Sequence, residues 1–202
     1  MEQALSFSAL ILAGGRSSRL GGAPKALLTD GHQTLLENVL SACQGASYRV
    51  VVGPDSLPLP RQVLITRESP AFSGPAAGIT AGTRELVKHL APEAQHQHWV
   101  LLLSCDLPRV HKAVPVLLAA AAHAPLQVQG FWALAEGITQ PLLGIYRLDS
   151  LTAAFNRDTA HASVRRFLVQ LAPQEIPLEA AWATDIDTWE AARAAGYSYP
   201  AP

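Results

Sequence analysis

Cysteine is nearly missing from this chain: among 202 residues only Cys43 and Cys105 occur. Two cysteines without a Cys-x-x-Cys pair supply neither a disulfide framework nor a zinc cage. An excess of either charge is missing too. Fifteen Lys and Arg stand against sixteen Asp and Glu, a net charge of -1. No global basic field exists to hold nucleic acid, so positive charge must act locally. Long apolar runs are also lacking. The start, MEQALSFSALILAGG, has no basic segment ahead of its short apolar stretch, which argues against a signal peptide or membrane anchor and points to the cytoplasm. Charged residues make up only 15%, whereas hydrophobic residues reach 49%. That composition excludes disorder and is enough for a substantial core, so one α/β domain over 1–202 is expected.

What the chain does have is alternation. Residues 8–12 form a short apolar run stopped by glycines, which predicts a buried strand. Over 34–44 the apolar residues fall at 35, 36, 39, 40 and 43, a helical stripe, and Thr34 and Glu37 have capping-box spacing. Strands are expected at 49–52, 62–66 and 99–104, with helices at 78–90 and 110–123. The second half predicts strands at 128–134 and 142–147, a helix at 162–171, short strands at 174–177 and 182–186, and a last helix at 188–195. Such alternation implies βαβ units and a mainly parallel sheet with ligands at the carboxyl ends of its strands. The loop after Leu12 and the turn at Asp106 both fall at such ends, so they are expected to share one mouth.

The loop is the most informative stretch. LILAGGRSSRLGGAPKALL spans 10–28. Gly14, Gly15, Gly21 and Gly22 permit positive φ and close backbone approach, and successive N–H groups there can form an anion nest. Arg16, Arg19 and Lys25 add charge-assisted donors. This composition suits a polyphosphate. Two phosphate motifs fail, however. Lys25 stands between Pro24 and Ala26, so G-x-x-x-x-G-K-[ST] is absent, and so is G-x-G-x-x-G.

Residues 12–25 instead follow L-A-G-G-x-x-x-R-(M/L)-G-x-x-K, and so resemble the nucleotidyltransferases of nucleotide-diphospho-sugar-transferase fold. The resemblance implies a three-layer, Rossmann-like α/β architecture around a mostly parallel central sheet. SGPAAGI at 73–79 is similar to that family's G-P-x-x-G segment near base and ribose, which brings in Gly74, Pro75 and Gly78. Glu68 aligns with an acidic position that contacts the nucleotide.

Two acidic segments complete the pattern. LLLSCDLP puts Asp106 at the end of an apolar strand, where a carboxylate is costly unless partnered or turned to a site. One carboxylate plus substrate phosphates is the usual way to hold Mg2+, and capping the next helix is the plainer role. In TDIDTWEAA, Asp185 and Asp187 alternate and share a face if the segment is a strand. Two like charges there need a cation or donor between them. Asp187 could equally cap the last helix, with Glu190 closing the box. The resemblance places an N-x-N or D-x-D pair here, reaching metal or phosphates. Cys105 reads as packing. His96-x-His98 lies in a polar loop before a strand and is not read as a metal site. Trp132, Trp182 and Trp189 read as core or rim. Gln140-Pro141 falls near where the family meets its second substrate, and Arg147, Arg157, Arg165 and Arg166 are candidates to meet an anionic acceptor, although surface arginines are common.

The resemblance implies transfer of NMP from an NTP to an acceptor with release of pyrophosphate. Lys25, Arg19 and Asp106 would be catalytic. Leu12, Ala13, Gly14, Gly15, Arg16, Lys25, Gly53, Glu68, Gly74, Pro75, Gly78 and Asp106 would contact nucleotide. Mg2+ would sit on Asp106, with Asp185 or Asp187 as a second ligand. LAGG together with D-L-P is similar to the molybdenum cofactor guanylyltransferase family. That implies GTP and molybdopterin or molybdenum cofactor as substrates, cofactor-insertion proteins or apo-molybdoenzymes as onward partners, and neither nucleic acid nor membrane. Gly53, where that family often has Asn, and DID for N-x-N lean toward the cytidylyl relative, which uses CTP. A non-catalytic delivery role is the alternative of another class; retention of both Lys25 and Asp106 speaks against it.

Overall fold

The structure is a computed structural model that describes residues 5–15 and 18–199. Its first strand, β1 (Phe7–Leu12), is buried at all six positions, as befits the interior of a sheet covered on both faces. There follow α1 (Leu35–Ala42), β2 (Arg49–Val52), β3 (Leu64–Thr66), α2 (Pro75–His89), α3 (Pro92–Gln95), β4 (Trp99–Ser104) and α4 (Val110–Ala122). The second half contains β5 (Gly130–Ala135), β6 (Ile138–Arg147), α5 (Leu148–Ala154), α6 (Val164–Leu168), β7 (Gln174–Pro177), α7 (Ala180–Ala183) and α8 (Trp189–Ala194).

The strands form one sheet in the order β3-β2-β1-β4-β6-β5-β7. Pairing is parallel for β1–β2, β1–β4, β2–β3 and β5–β7, and antiparallel where β6 meets β4 and β5. The expected α/β class with a mostly parallel sheet is what forms. Alternation along β1 decides the layers. Ala9 and Ile11 face α1 and α4 in one core, whereas Leu10 and Leu12 face α2, α5 and α6 in the other. Three layers result, and the carboxyl ends of β1 and β4 lie side by side, with Leu12 opposite Ser104. Among the described residues no helix is long and apolar enough to cross a membrane.

Several boundaries differ from the periodicity. α1 carries the full capping box of Thr34 and Glu37, but α2 begins earlier than predicted, with Gly74 as N-cap and Pro75 in its first turn, a position proline favours. β6 also starts earlier, because Glu136 (φ 49°) and Gly137 (φ 74°) turn the chain straight back from β5. α5 is not predicted at all: its LDSLTAA continues directly from β6 with no breaker, and only Leu148, Leu151 and Ala154 mark the buried stripe. The strand expected at 182–186 does not form. Trp182 and Ala183 belong to α7 and pack on the α1/α4 core. Ile186 donates its N–H to the Asp106 carbonyl at 3.0 Å rather than to a strand.

His98, just before β4, is fully buried between two hydroxyls, with Ser6 Oγ 2.9 Å from Nδ1 and Ser8 Oγ 2.8 Å from Nε2. This leaves it no part in a His-x-His metal site. Burial lowers its pKa from the ordinary 6.5, since a buried imidazolium lacks solvent. A folded pKa below the unfolded one contributes stability that is complete above about 6.5 and lost as pH falls through the folded value. Wild-type Tm is therefore expected to drop between pH 7 and pH 5, with the acid limb flatter in His98→Gln. Parallel limbs in a calorimetric pH series would refute the assignment.

Candidate active site

The glycine loop leaves β1 and returns under the mouth. Gly15 (φ 145°), Gly21 (φ 64°) and Gly22 (φ 87°) adopt the positive φ expected of them. Gly14 does not appear among the positive-φ glycines, so its place is not dictated by φ. Arg16 lies outside the described residues. The loop is pinned from below: Leu20, Leu28, Leu35, Ile186 and Tyr197 share a small apolar cluster. Ala26, next to Lys25, is buried, and the Leu28 N–H donates to the Lys25 carbonyl at 3.0 Å. Lys25 is thus set by its backbone, and its side chain is free to reach outward.

Lys25 Nζ reaches Asp106 Oδ2 at 2.9 Å and also bonds Asp187 Oδ1. Arg19 bonds the other Asp187 oxygen at 3.0 Å. Asp106 is buried, and its second oxygen accepts from Ser104 Oγ. It does not cap α4, whose N-cap is Arg109 with no side-chain cap bond. Asp187 is not the N-cap of α8 either: Thr188 takes that role and accepts from the Ala191 N–H. Although 184–187 is not a strand, the period-two expectation survives. Ile186 is buried beneath the loop, and Asp185 and Asp187 turn the opposite way toward Asp106. One carboxylate oxygen from each of the three lies within 4.8 Å of the others.

Electrostatics follow from this crowding. Burial opposes the charge on Lys25, but Asp106 and Asp187 outweigh it and hold its pKa above the ordinary lysine value. The Lys25 hydrogen bond keeps Asp187 below the usual carboxylate range, with Arg19 helping. Partial desolvation, then Asp106 and Asp187, push Asp185 upward. Three carboxylates face two cations, and Asp185 forms no ion pair among the described residues. An all-oxygen donor set with one uncompensated negative charge fits a hard divalent cation.

A cavity of about 430 Å³ opens at this point, lined by residues of the glycine loop from Leu12 to Lys25, by Gly53 and Glu68, and by Asp106 and Asp187. The two strand ends do share one mouth. A neighbouring space of about 340 Å³ is bordered by Gly74, Pro75 and Gly78 at the start of α2, with Leu142 across from them. Gly53 allows a close approach: a Cβ there would sit 2.9 Å from Leu57 Cδ1 and 3.3 Å from the Ala13 carbonyl. Leu57 thus fills the space into which a side chain at 53 would grow.

Arg67 and Phe72 in the lining, and Asn38 behind it, carried no sequence signal strong enough to single them out. Arg67 lies over the Phe72 ring, 5.1 Å from its centroid, and Glu68 accepts the Phe72 N–H at 2.9 Å. Asn38, buried in α1, donates to the carbonyls of Leu107 (3.3 Å) and Pro108 (3.1 Å), fixing the turn after Asp106. A polar residue inside TLLENVL was the available clue. Conversely, Arg147 is buried over Trp99, and Arg165 lies over Trp132 and bonds Thr139. Neither lines the two cavities, and nor do Arg157 and Arg166. Cys105 is buried with its pKa pushed well up by desolvation, consistent with packing.

Residues 9–175 match the MobA-like NTP transferase domain family. The chain is 31% identical over 189 residues to the molybdenum cofactor guanylyltransferase of Pseudomonas paraeruginosa (strain DSM 24068 / PA7), covering 86% of this chain and 85% of that one. It is 31% identical over 185 residues to the protein of the same name from Pseudomonas syringae pv. syringae (strain B728a), covering 86% and 84%. Among solved structures, molybdopterin-guanine dinucleotide biosynthesis protein A from Archaeoglobus fulgidus aligns with a TM-score of 0.66 at 16% identity over 94% and 96% of the two chains. A 4-diphosphocytidyl-2C-methyl-D-erythritol synthase aligns at 0.70 and 17% over 96% and 98%. At those identities the structures speak for a common fold, while the sequence matches speak for descent. The chain belongs to the MobA-like NTP transferase family and is a nucleotidyltransferase.

Proposed function

We propose that this nucleotidyltransferase moves GMP from GTP to the phosphate of molybdopterin or molybdenum cofactor, giving the guanine dinucleotide form and pyrophosphate, with Mg2+ as its metal. The observation that carries the proposal is the meeting of the glycine loop, Lys25 and Asp106 in one cavity, in a chain whose relatives, matched over most of their length, bear the guanylyltransferase name. An acceptor phosphate is already anionic at neutral pH, so no general base is needed. Its oxygen attacks the α-phosphorus, the new P–O bond forms, and the bond to the β-phosphate oxygen breaks as pyrophosphate leaves with the electron pair. The work of the site is positioning and charge neutralisation.

In this scheme Lys25 holds the α-phosphate, and Arg19 with the Gly14–Gly15 backbone cradles the β- and γ-phosphates. Asp106 holds the metal together with Asp185 or Asp187. A bound Mg2+ supplies positive charge to the phosphate oxygens as negative charge builds on them. Glu68, Gly53, Gly74, Pro75 and Gly78 shape the nucleoside side of the mouth. Cytidylyl transfer from CTP to the same cofactor is the second reading, favoured by Gly53, which offers a base no side-chain hydrogen bond.

Thermal denaturation with GTP, CTP, ATP and UTP, each with and without Mg2+, tests the assignment. A ligand at 100 times its dissociation constant adds about 2.7 kcal/mol to the folded state. A Mg2+-dependent rise in Tm with GTP alone is expected; a rise with CTP alone would transfer the assignment to the cytidylyl reading, and no rise with any nucleotide would remove it.

A further inference from the structure

Asp187 stands between the two cations that the proposed chemistry assigns to the triphosphate. Its Oδ2 accepts from Arg19 at 3.0 Å and its Oδ1 from Lys25, while Lys25 also reaches Asp106 Oδ2 at 2.9 Å. Arg19 is 72% exposed, yet it folds back onto this carboxylate. Both phosphate-binding cations are therefore already engaged by acids, and Asp185 adds a third carboxylate beside them. The acid is not a structural necessity: Asp187 is 43% exposed, it lies in an irregular segment, and the adjoining helix is capped by Thr188.

We infer that Asp187 is a counterion latch, which holds Lys25 and Arg19 while the site is empty and makes triphosphate binding conditional on a divalent cation. The inference rests on the mouth being the nucleotide site. A metal-free triphosphate must strip both cations from Asp187 and then lie beside three bare carboxylates, which repel it. A divalent cation changes the exchange. The acids gain its charge, and Lys25 and Arg19 pass to the phosphates. Metal and triphosphate thus favour the same rearranged site, so each raises the other's affinity by the same factor. In the latched state neither ligand has its full set of partners available.

Calorimetric titration with inorganic tripolyphosphate and with GTP, in EDTA and in Mg2+, tests this on the wild type, Asp187→Asn and Asp185→Asn. Asp187→Asn is expected to bind metal-free tripolyphosphate roughly tenfold tighter than wild type, because one exposed and one partly buried pair are released. Mg2+ should then improve its affinity by a smaller factor than in wild type. Asp185→Asn removes the same charge without freeing either cation, so its gain should be smaller. An unchanged or weaker metal-free affinity in Asp187→Asn overturns the latch. So does an equal gain in Asp185→Asn, which would reduce the effect to general charge removal. If the wild type binds GTP with Mg2+ in either case, the nucleotide site stands and the latch alone falls. Failure of the wild type to bind GTP with Mg2+ would remove the site and the latch together.

Discussion

Lys25→Ala is expected to slow nucleotidyl transfer by about 10²–10³-fold, the usual cost of losing one positioned donor to a transition-state charge. The structure explains why the loss should fall on rate rather than fold. The Lys25 backbone is fixed independently of its side chain, by Pro24 before it, buried Ala26 after it and the turn bond from Leu28. Among the described residues its ammonium bonds Asp106 and Asp187. Those two acids keep it charged well beyond neutral pH, so Lys25 itself puts no alkaline limb on the wild-type rate near neutrality. In single-turnover measurements at saturating GTP and Mg2+, the loss should appear in the rate of the bond-making step as well as in KM. A change confined to KM would mean that Lys25 binds ground state and transition state equally. Lys25→Arg should recover little, because a planar fork cannot replace a compact ammonium placed between two carboxylates.

The same substitution has a measurable effect on stability. Without Lys25, Asp106 and Asp187 lose their shared cation while Asp185 remains close by. The folded state then carries unrelieved repulsion, and Tm should fall modestly and recover in Mg2+. That recovery separates an electrostatic deficit from a packing defect, which a metal would not repair.

Why the sequence told so much about this site and less about its surroundings is a matter of range. Glycines and cations in one loop act locally, so the loop after β1, its positive-φ glycines and its place at the mouth were legible from residues 12–25 alone. Asp106 stood out because a carboxylate at the end of WVLLLS is energetically conspicuous. The alternation of Asp185, Ile186 and Asp187 gave the right facing for the wrong element. Ile186 is anchored by Leu20, Leu28 and Leu35 from distant segments, and no periodicity records who fills a pocket. For the same reason the Arg19–Asp187 pair, which joins residues 168 apart in the chain, had no local trace. Asn38 was hidden inside an apolar helix stripe, and its task, holding two carbonyls behind Asp106, exists only once α1 packs beside that turn. The surroundings of the candidate acceptor arginines were equally out of local range. Arg147 and Arg165 look free in sequence, but aromatic faces at Trp99 and Trp132 take them.

Asp106→Asn is expected to lower the transfer rate by about 10²–10³-fold and to shift the Mg2+ dependence to higher concentration, since the amide keeps the shape and loses the charge that a hard cation requires. Asparagine can still accept the Ser104 hydrogen bond through its carbonyl, so the turn that Asn38 supports should persist. The face toward Lys25 would then present an amide N–H₂ to an ammonium that still has Asp187 as partner. Lys25 is left bound to the more exposed acid alone, which tightens its dependence on that pair. The distinguishing measurement is a Mg2+ titration of both rate and Tm in the variant and the wild type. If Asp106 holds the metal, the wild type gains stability from Mg2+ at concentrations where Asp106→Asn gains little, and raising Mg2+ restores part of the rate. If Asp106 only orients Lys25, the two Mg2+ curves coincide and the rate loss is insensitive to metal. In that second outcome the metal would have to rest on Asp185 and Asp187, neither of which is as buried as Asp106.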